Sequence, residues 1–143
     1  MGLGVALLST VAVVAPAHAT AADVTVVIAE IDAGHWAQAR IDYNQLTAIE
    51  QALVTNYSDL TDHEAAAVVI ADITAGNWTA ARTGYDALTA GQQALVTNYS
   101  DLTDHEAAAV VIADITAGNW TAARTGYDAL TAGQQTLVTN YGV

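Results

Sequence analysis

Residues Val54–Gln93 recur without a single change as Val96–Gln135, an offset of 42 residues. A period of this length constrains the fold more than composition does. Each copy must bury its apolar face within itself and against its neighbours. A further shift by the same offset places Val26, Val27 and Ile28 under Val68, Val69 and Ile70. It also sets Trp36 under Trp78, Arg40 under Arg82 and Tyr43 under Tyr85, while Leu46, Thr47, Gln51 and Leu53 keep their identity in the next unit. The chain therefore divides into three units: a diverged first over 20–58, a second over 59–100 and a third over 101–143.

Three helices are expected in each unit, most plainly in the second. The first opens at "TDHE", where Thr61 as N-cap and Glu64 three residues on form a capping box. Ala66, Val69, Ile70 and Ile73 follow at i, i+3, i+4 and i+7, and Gly76 closes the helix. Val68 falls off that stripe and is assigned to the adjoining unit or to the flank of the second helix. The second helix starts after Asn77 as N-cap and aligns Trp78, Ala81, Tyr85 and Leu88. The third opens at Thr89 with Gln92 as a second capping box, then carries Leu95, Val96 and Tyr99 until "SDL" interrupts it. No proline follows Pro16 and no segment alternates with period two. The fold class is all-α.

An odd number of helices brings the chain in at one end of a small bundle and out at the other. Three bundles stacked end to end are the expected architecture, and a sideways α-solenoid is the alternative. A first helix of about 14 residues is roughly 21 Å long, so three units give a rod of about 60 Å.

Charge and composition remove whole classes of function. Fifteen acidic residues face three arginines and no lysine, a formal charge of −12, which repels nucleic acid and anionic lipid. The absence of cysteine excludes disulfides, cysteine-based zinc sites and thiol nucleophiles. At the start, an apolar run from Leu3 to Ala15 leads through Pro16 to Ala17-His18-Ala19, the pattern of a signal peptide over 1–19 cleaved after Ala19. No basic residue precedes that run, which departs from the usual pattern. The run is shorter than the roughly 20 residues a bilayer span needs. The expected location is extracellular, secreted or cell-wall associated, with no membrane insertion after cleavage.

The block "AARTGYDALTAGQQALVTNYSDL" resembles a repeat of large secreted and wall-associated proteins of Gram-positive bacteria, particularly actinobacteria. The pattern there looks like "ARxAYDALTxxQKALVxNxxxL", preceded by a helix ending in I-x-A-(I/L). Gln93 and Gln135 stand here where that pattern usually has lysine. The resemblance covers all three units, and its letters are mostly helix-packing residues. It implies a three-helix bundle used as a stalk or adhesion-like spacer, and it brings no catalytic residues.

Two repeated constellations have a chemical reading. Trp36/Arg40/Tyr43, Trp78/Arg82/Tyr85 and Trp120/Arg124/Tyr127 each sit at i, i+4 and i+7. Each could form an aromatic-plus-guanidinium platform for a sugar or a peptide. The packing alternative makes the rings core and lays the arginine stem over them, with Arg82 paired to Asp86 one turn on. The second constellation is Asp59, Asp62, His63 and Glu64, repeated as Asp101, Asp104, His105 and Glu106, with Ala19 to Ala22 in the first unit. Its spacing fits no EF-hand loop, and acids in a first helical turn are expected from the helix dipole. Capping is therefore preferred over a metal. No phosphate loop, HExxH or recognisable nucleophile signature occurs, so neither catalytic residues, a metal nor a cofactor is assigned. The expected function is a non-enzymatic extracellular stalk or spacer, whole or part of a larger surface protein. A multivalent module binding cell-wall or extracellular glycan or protein is the alternative.

Overall fold

The long helices of the second and third units start earlier than their capping signals. In the computed structural model, which describes residues 21–141, the elements are α1 (Ala21–Asp32), α2 (Trp36–Tyr43), α3 (Ala48–Gln51), α4 (Tyr57–Thr74), α5 (Trp78–Ala87), α6 (Ala90–Gln93), α7 (Tyr99–Thr116), α8 (Trp120–Ala129) and α9 (Ala132–Thr136). Among the described residues there is no strand, and the chain is all-α. The signal-peptide segment 1–19 lies outside the described residues.

The TDHE capping box does not form. α4 begins at Tyr57, so Thr61 is inside the helix, where its hydroxyl bonds back to the Ser58 carbonyl at 2.8 Å. Glu64 is drawn instead to Arg40 of the preceding unit. The physical reason is burial: the turn from Tyr57 to Leu60 packs into the first unit's core, with Leu60 fully enclosed. Tertiary contact therefore extends the helix through a cap-like sequence. The unit boundaries at 58/59 and 100/101 consequently fall inside α4 and α7.

The other end signals behave as their chemistry dictates. Gly76 has φ +75, the Gly76 amide donates to the Ile73 carbonyl and the Asn77 amide to the Asp72 carbonyl. This pairing is a Schellman motif, and its left-handed residue favours glycine. Gly34 and Gly118 repeat it. Thr89 and Gln92 form the expected reciprocal capping box, as do Thr47 with Glu50 and Thr131 with Gln134. Asn77 departs from expectation: it precedes α5, but its side chain makes no cap bond and donates to Asp72 instead. The third helix is also shorter than expected. It ends at Gln93, Leu95 and Val96 lie in the following turn, and Tyr99 opens the next long helix.

Side-chain pairings fix how units join. α5 runs back along the second half of α4, and the first half of α7 lies along α5, because Trp78 stacks on His105 while Tyr85 stacks on Tyr99. The Asn98 amide reaches the Ile70 carbonyl at 3.1 Å, and Asn56 reaches Ile28 at 3.0 Å. α4 and α7 thus each close one three-helix bundle with their first half and open the next with their second. From Tyr57 to Ile70 the advance is about 20 Å at 1.5 Å per residue, and three units on this register span about 55 Å.

The buried clusters follow the same sharing. The first joins Val24, Val27, Ile31 and Ala39 with Leu60 of the next long helix; the second joins Ala66, Val69, Ile73 and Ala81 with Leu102. The third, around Ala108, Val111 and Val138, has no such leucine among the described residues. Val68 and Val110 face solvent at 63% and 64% exposure, not a neighbouring unit or the second helix.

Candidate functional site

The Trp–Arg–Tyr sets fall at the places where one unit meets the next. At the first junction Trp36 stacks on His63, with ring centroids 3.7 Å apart, and Tyr43 stacks on Tyr57 at 4.2 Å. Between the two stacks, Arg40 donates from Nε to Glu64 Oε1 at 2.6 Å and from Nη2 to Oε2 at 2.5 Å, while Nη1 donates to the Tyr57 hydroxyl at 3.2 Å. Its guanidinium carbon also lies over both tyrosine rings, at 5.4 and 5.3 Å from their centroids.

The second junction repeats this in the same order. Trp78 stacks on His105 at 4.0 Å and Tyr85 on Tyr99 at 4.0 Å. Arg82 makes the two-pronged bond to Glu106, a bond to the Tyr99 hydroxyl at 3.4 Å, and an ion pair with Asp86 one turn on. The planar fork matches a carboxylate edge with two parallel donors, which a lysine could not do. Hydrogen bonds from Arg82 hold the Glu106 carboxyl below its usual range, against the opposing effect of burial. The same bond to Glu106 raises Arg82, as the bond to Glu64 raises Arg40.

Among the described residues no helix lies over the third set. Its local sequence is identical to the second, yet Trp120 is 63% exposed, and the Arg124 side chain is 69% exposed against 31% for Arg82 and 26% for Arg40. Arg124 pairs with Asp128 of its own helix at 2.9 Å, and Tyr127 still stacks on Tyr141 at 3.5 Å.

The acidic constellation is dispersed into separate duties. Asp62 accepts from Gln92 and Asp104 from Gln134, both at 2.8 Å, which ties each one-turn helix to its long helix. The histidines stack on tryptophan and the glutamates take arginine. Among the described residues no group of three or more His, Asp and Glu side chains converges as a metal site. A groove of about 520 Å³ borders the second junction, lined by Ile73, Thr74, Trp78, Asp101, Asp104, His105, Gly133 and Leu137.

Sequence reasoning missed Tyr57/Tyr99 and Asn56/Asn98 as junction residues. One signal was there to find: Trp–Arg–Tyr occurs three times, but His–Glu in a first helical segment occurs only twice. Three units have two junctions. A further feature belongs to the first unit alone. Glu30 and Asp42 oppose their carboxyls, and Glu30 is raised by burial and by the charge of Asp42; the later units carry Gly84 and Gly126 at the second position.

Among the described residues, no helix is long and apolar enough to cross a membrane. In comparisons with protein-family models, curated proteins and solved structures, nothing matches this chain.

Proposed function

We propose that this chain is a non-enzymatic secreted or surface-associated spacer, in which each added unit lengthens a semi-rigid array. The observation that carries this reading is the use of the repeated chemistry at the inner junctions. Both inner Trp–Arg–Tyr sets have their rings stacked and their guanidinium paired to the next unit. A glycan platform needs a broad aromatic face free for the ligand, and there a histidine or a tyrosine already covers one face of each ring. The half-buried Trp78 and Tyr85, packed on the second core, support the spacer over the multivalent binding module.

The resemblance to stalk-like repeats of Gram-positive surface proteins agrees in kind, and the apolar start followed by Ala17-His18-Ala19 supports export. A spacer acts by distance. In cells that export the chain, an epitope placed after arrays of two, three and four units is expected to become steadily more accessible to antibody. Accessibility independent of unit number, or retention of the chain in the cytosol, would overturn the reading.

A further inference from the structure

We propose that the groove beside the second junction is a binding site for a lysine side chain presented by a peptide segment of a partner protein. Its volume of about 520 Å³ is that of a ligand site, and its walls come from the end of α4, the start of α5, the first half of α7, and α9 with the turn after it. Ile73, Trp78 and Leu137 give it apolar sides. Asp101 and Asp104, neighbours three residues apart on α7, give it two carboxylates.

The chain does not supply a cation for them. It contains no lysine, and its three arginines pair with Glu64, Asp86, Glu106 and Asp128. Asp104 accepts from Gln134 through one oxygen, and Asp101 is exposed in the first turn of its helix. An ammonium on a four-carbon stem complements this arrangement, with its charge at the carboxylates and its methylenes along Leu137. The formal charge of −12 draws a basic segment in. One lysine side chain fills only part of the groove, which leaves room for the residues flanking it, as a peptide has and a free amine lacks.

Gly133 is the second observation, because it keeps the groove open. It stands inside α9, where glycine weakens a helix. Its φ is not positive, and the nearest atom to an added Cβ is Thr131 Oγ1 at 3.9 Å, so neither backbone nor packing requires glycine. The first unit carries Ile49 at the same position. Gly91 repeats the feature, with Trp36, Asp59, Asp62 and Leu95 standing 42 positions before their counterparts. The site stands whether or not the array acts as a spacer.

The test titrates the full chain with acetyl-Ala-Lys-Ala amide at about 0.05 M salt, where charge attraction is only partly screened. A norleucine counterpart keeps the stem without the charge, and diaminopentane keeps the charge without the flanking residues. The Gly133 amide and the Trp78 indole N–H are followed in an ¹⁵N-correlated spectrum, with Trp78→Phe used for assignment. The expected result is a saturable shift of both signals, with Trp120 unmoved and no response to the norleucine peptide. Asp101→Asn should weaken binding about fivefold, the effect of losing one partly exposed ionic partner. Gly133→Ile should abolish binding by filling the groove. Both positions are exposed, so circular dichroism melts of both variants should match the parent chain.

Unmoved signals at millimolar peptide overturn the proposal. So does an equal response to the norleucine peptide, or undiminished binding by a folded Gly133→Ile chain. Tighter binding of diaminopentane than of the lysine peptide makes a free amine the occupant and overturns the assignment to a partner segment.

Discussion

Arg82 and Arg124 sit in identical local sequence but unequal surroundings, which makes their replacement a controlled measurement of the junction. Arg82→Ala removes the two-pronged bond to Glu106, the bond to Tyr99 and the cover over two rings. A fully buried charge-assisted pair contributes roughly 1.5–3 kcal/mol. Here the side chains are 31% and 38% exposed, and solvent screening reduces the contribution to about 1 kcal/mol. Stacking over Tyr85 and Tyr99, at 5.8 and 5.6 Å from their centroids, adds about 0.5 kcal/mol, and burial of the aliphatic stem about as much again.

The loss is therefore about 2 kcal/mol. With an unfolding entropy of roughly 2.1 cal/mol/K per residue over 21–141, the thermal midpoint should fall by about 8 °C. Arg124→Ala breaks an exposed pair within one helix and a weaker contact with Tyr141, and should move the midpoint by less than about 2 °C. Circular dichroism melts of the two variants decide it. Equal losses, or a greater loss for Arg124, would refute the assignment of Arg82 to a stabilising junction.

Further outcomes follow from the same contacts. Leu102 is fully buried in the second unit's core although it belongs to the third unit's helix, so Leu102→Ala should cost about 3 kcal/mol by urea denaturation. Because Glu106 is held below its unfolded value near 4.5, its contribution is complete above that pH and lost as pH falls through the lowered value. Glu106→Gln should accordingly flatten part of the decline in stability below about pH 4.5, and an unchanged acid limb would count against the pairing. Glu30 has the opposite sign: raised in the fold, it favours the protonated state, so its contribution fades as pH rises. Glu30→Gln should stabilise the chain by about 0.5 kcal/mol at pH 7 and by nothing near pH 4, as read from denaturant midpoints.

What could be read from the residues was what depends on neighbours in sequence. The Thr89–Gln92 box, the Gly76 stop and the Val69–Ile73 stripe are each set by groups within one or two turns, and the structure has all three. The start of α4 is not legible locally: Thr61 and Glu64 have the spacing of a cap, while the group that takes Glu64 is Arg40, 24 residues away. The Trp–Arg–Tyr sets were visible as sets. Their partners were not, since His63, Tyr57 and Glu64 belong to the next unit and no local pattern links them. Val68 is the opposite case: an apolar side chain off the stripe suggests a neighbour, yet it faces solvent, and single exposed apolar residues are ordinary on a protein surface.

The central claim is that long helices shared between units make length grow by a fixed step. Small-angle scattering tests it on this chain beside one carrying a single extra copy of residues 54–95. The staggered register predicts that the maximum dimension rises by about 20 Å. Growth as a rounder globule, with the radius of gyration rising only from about 14.5 to 16 Å and no lengthening, would contradict it.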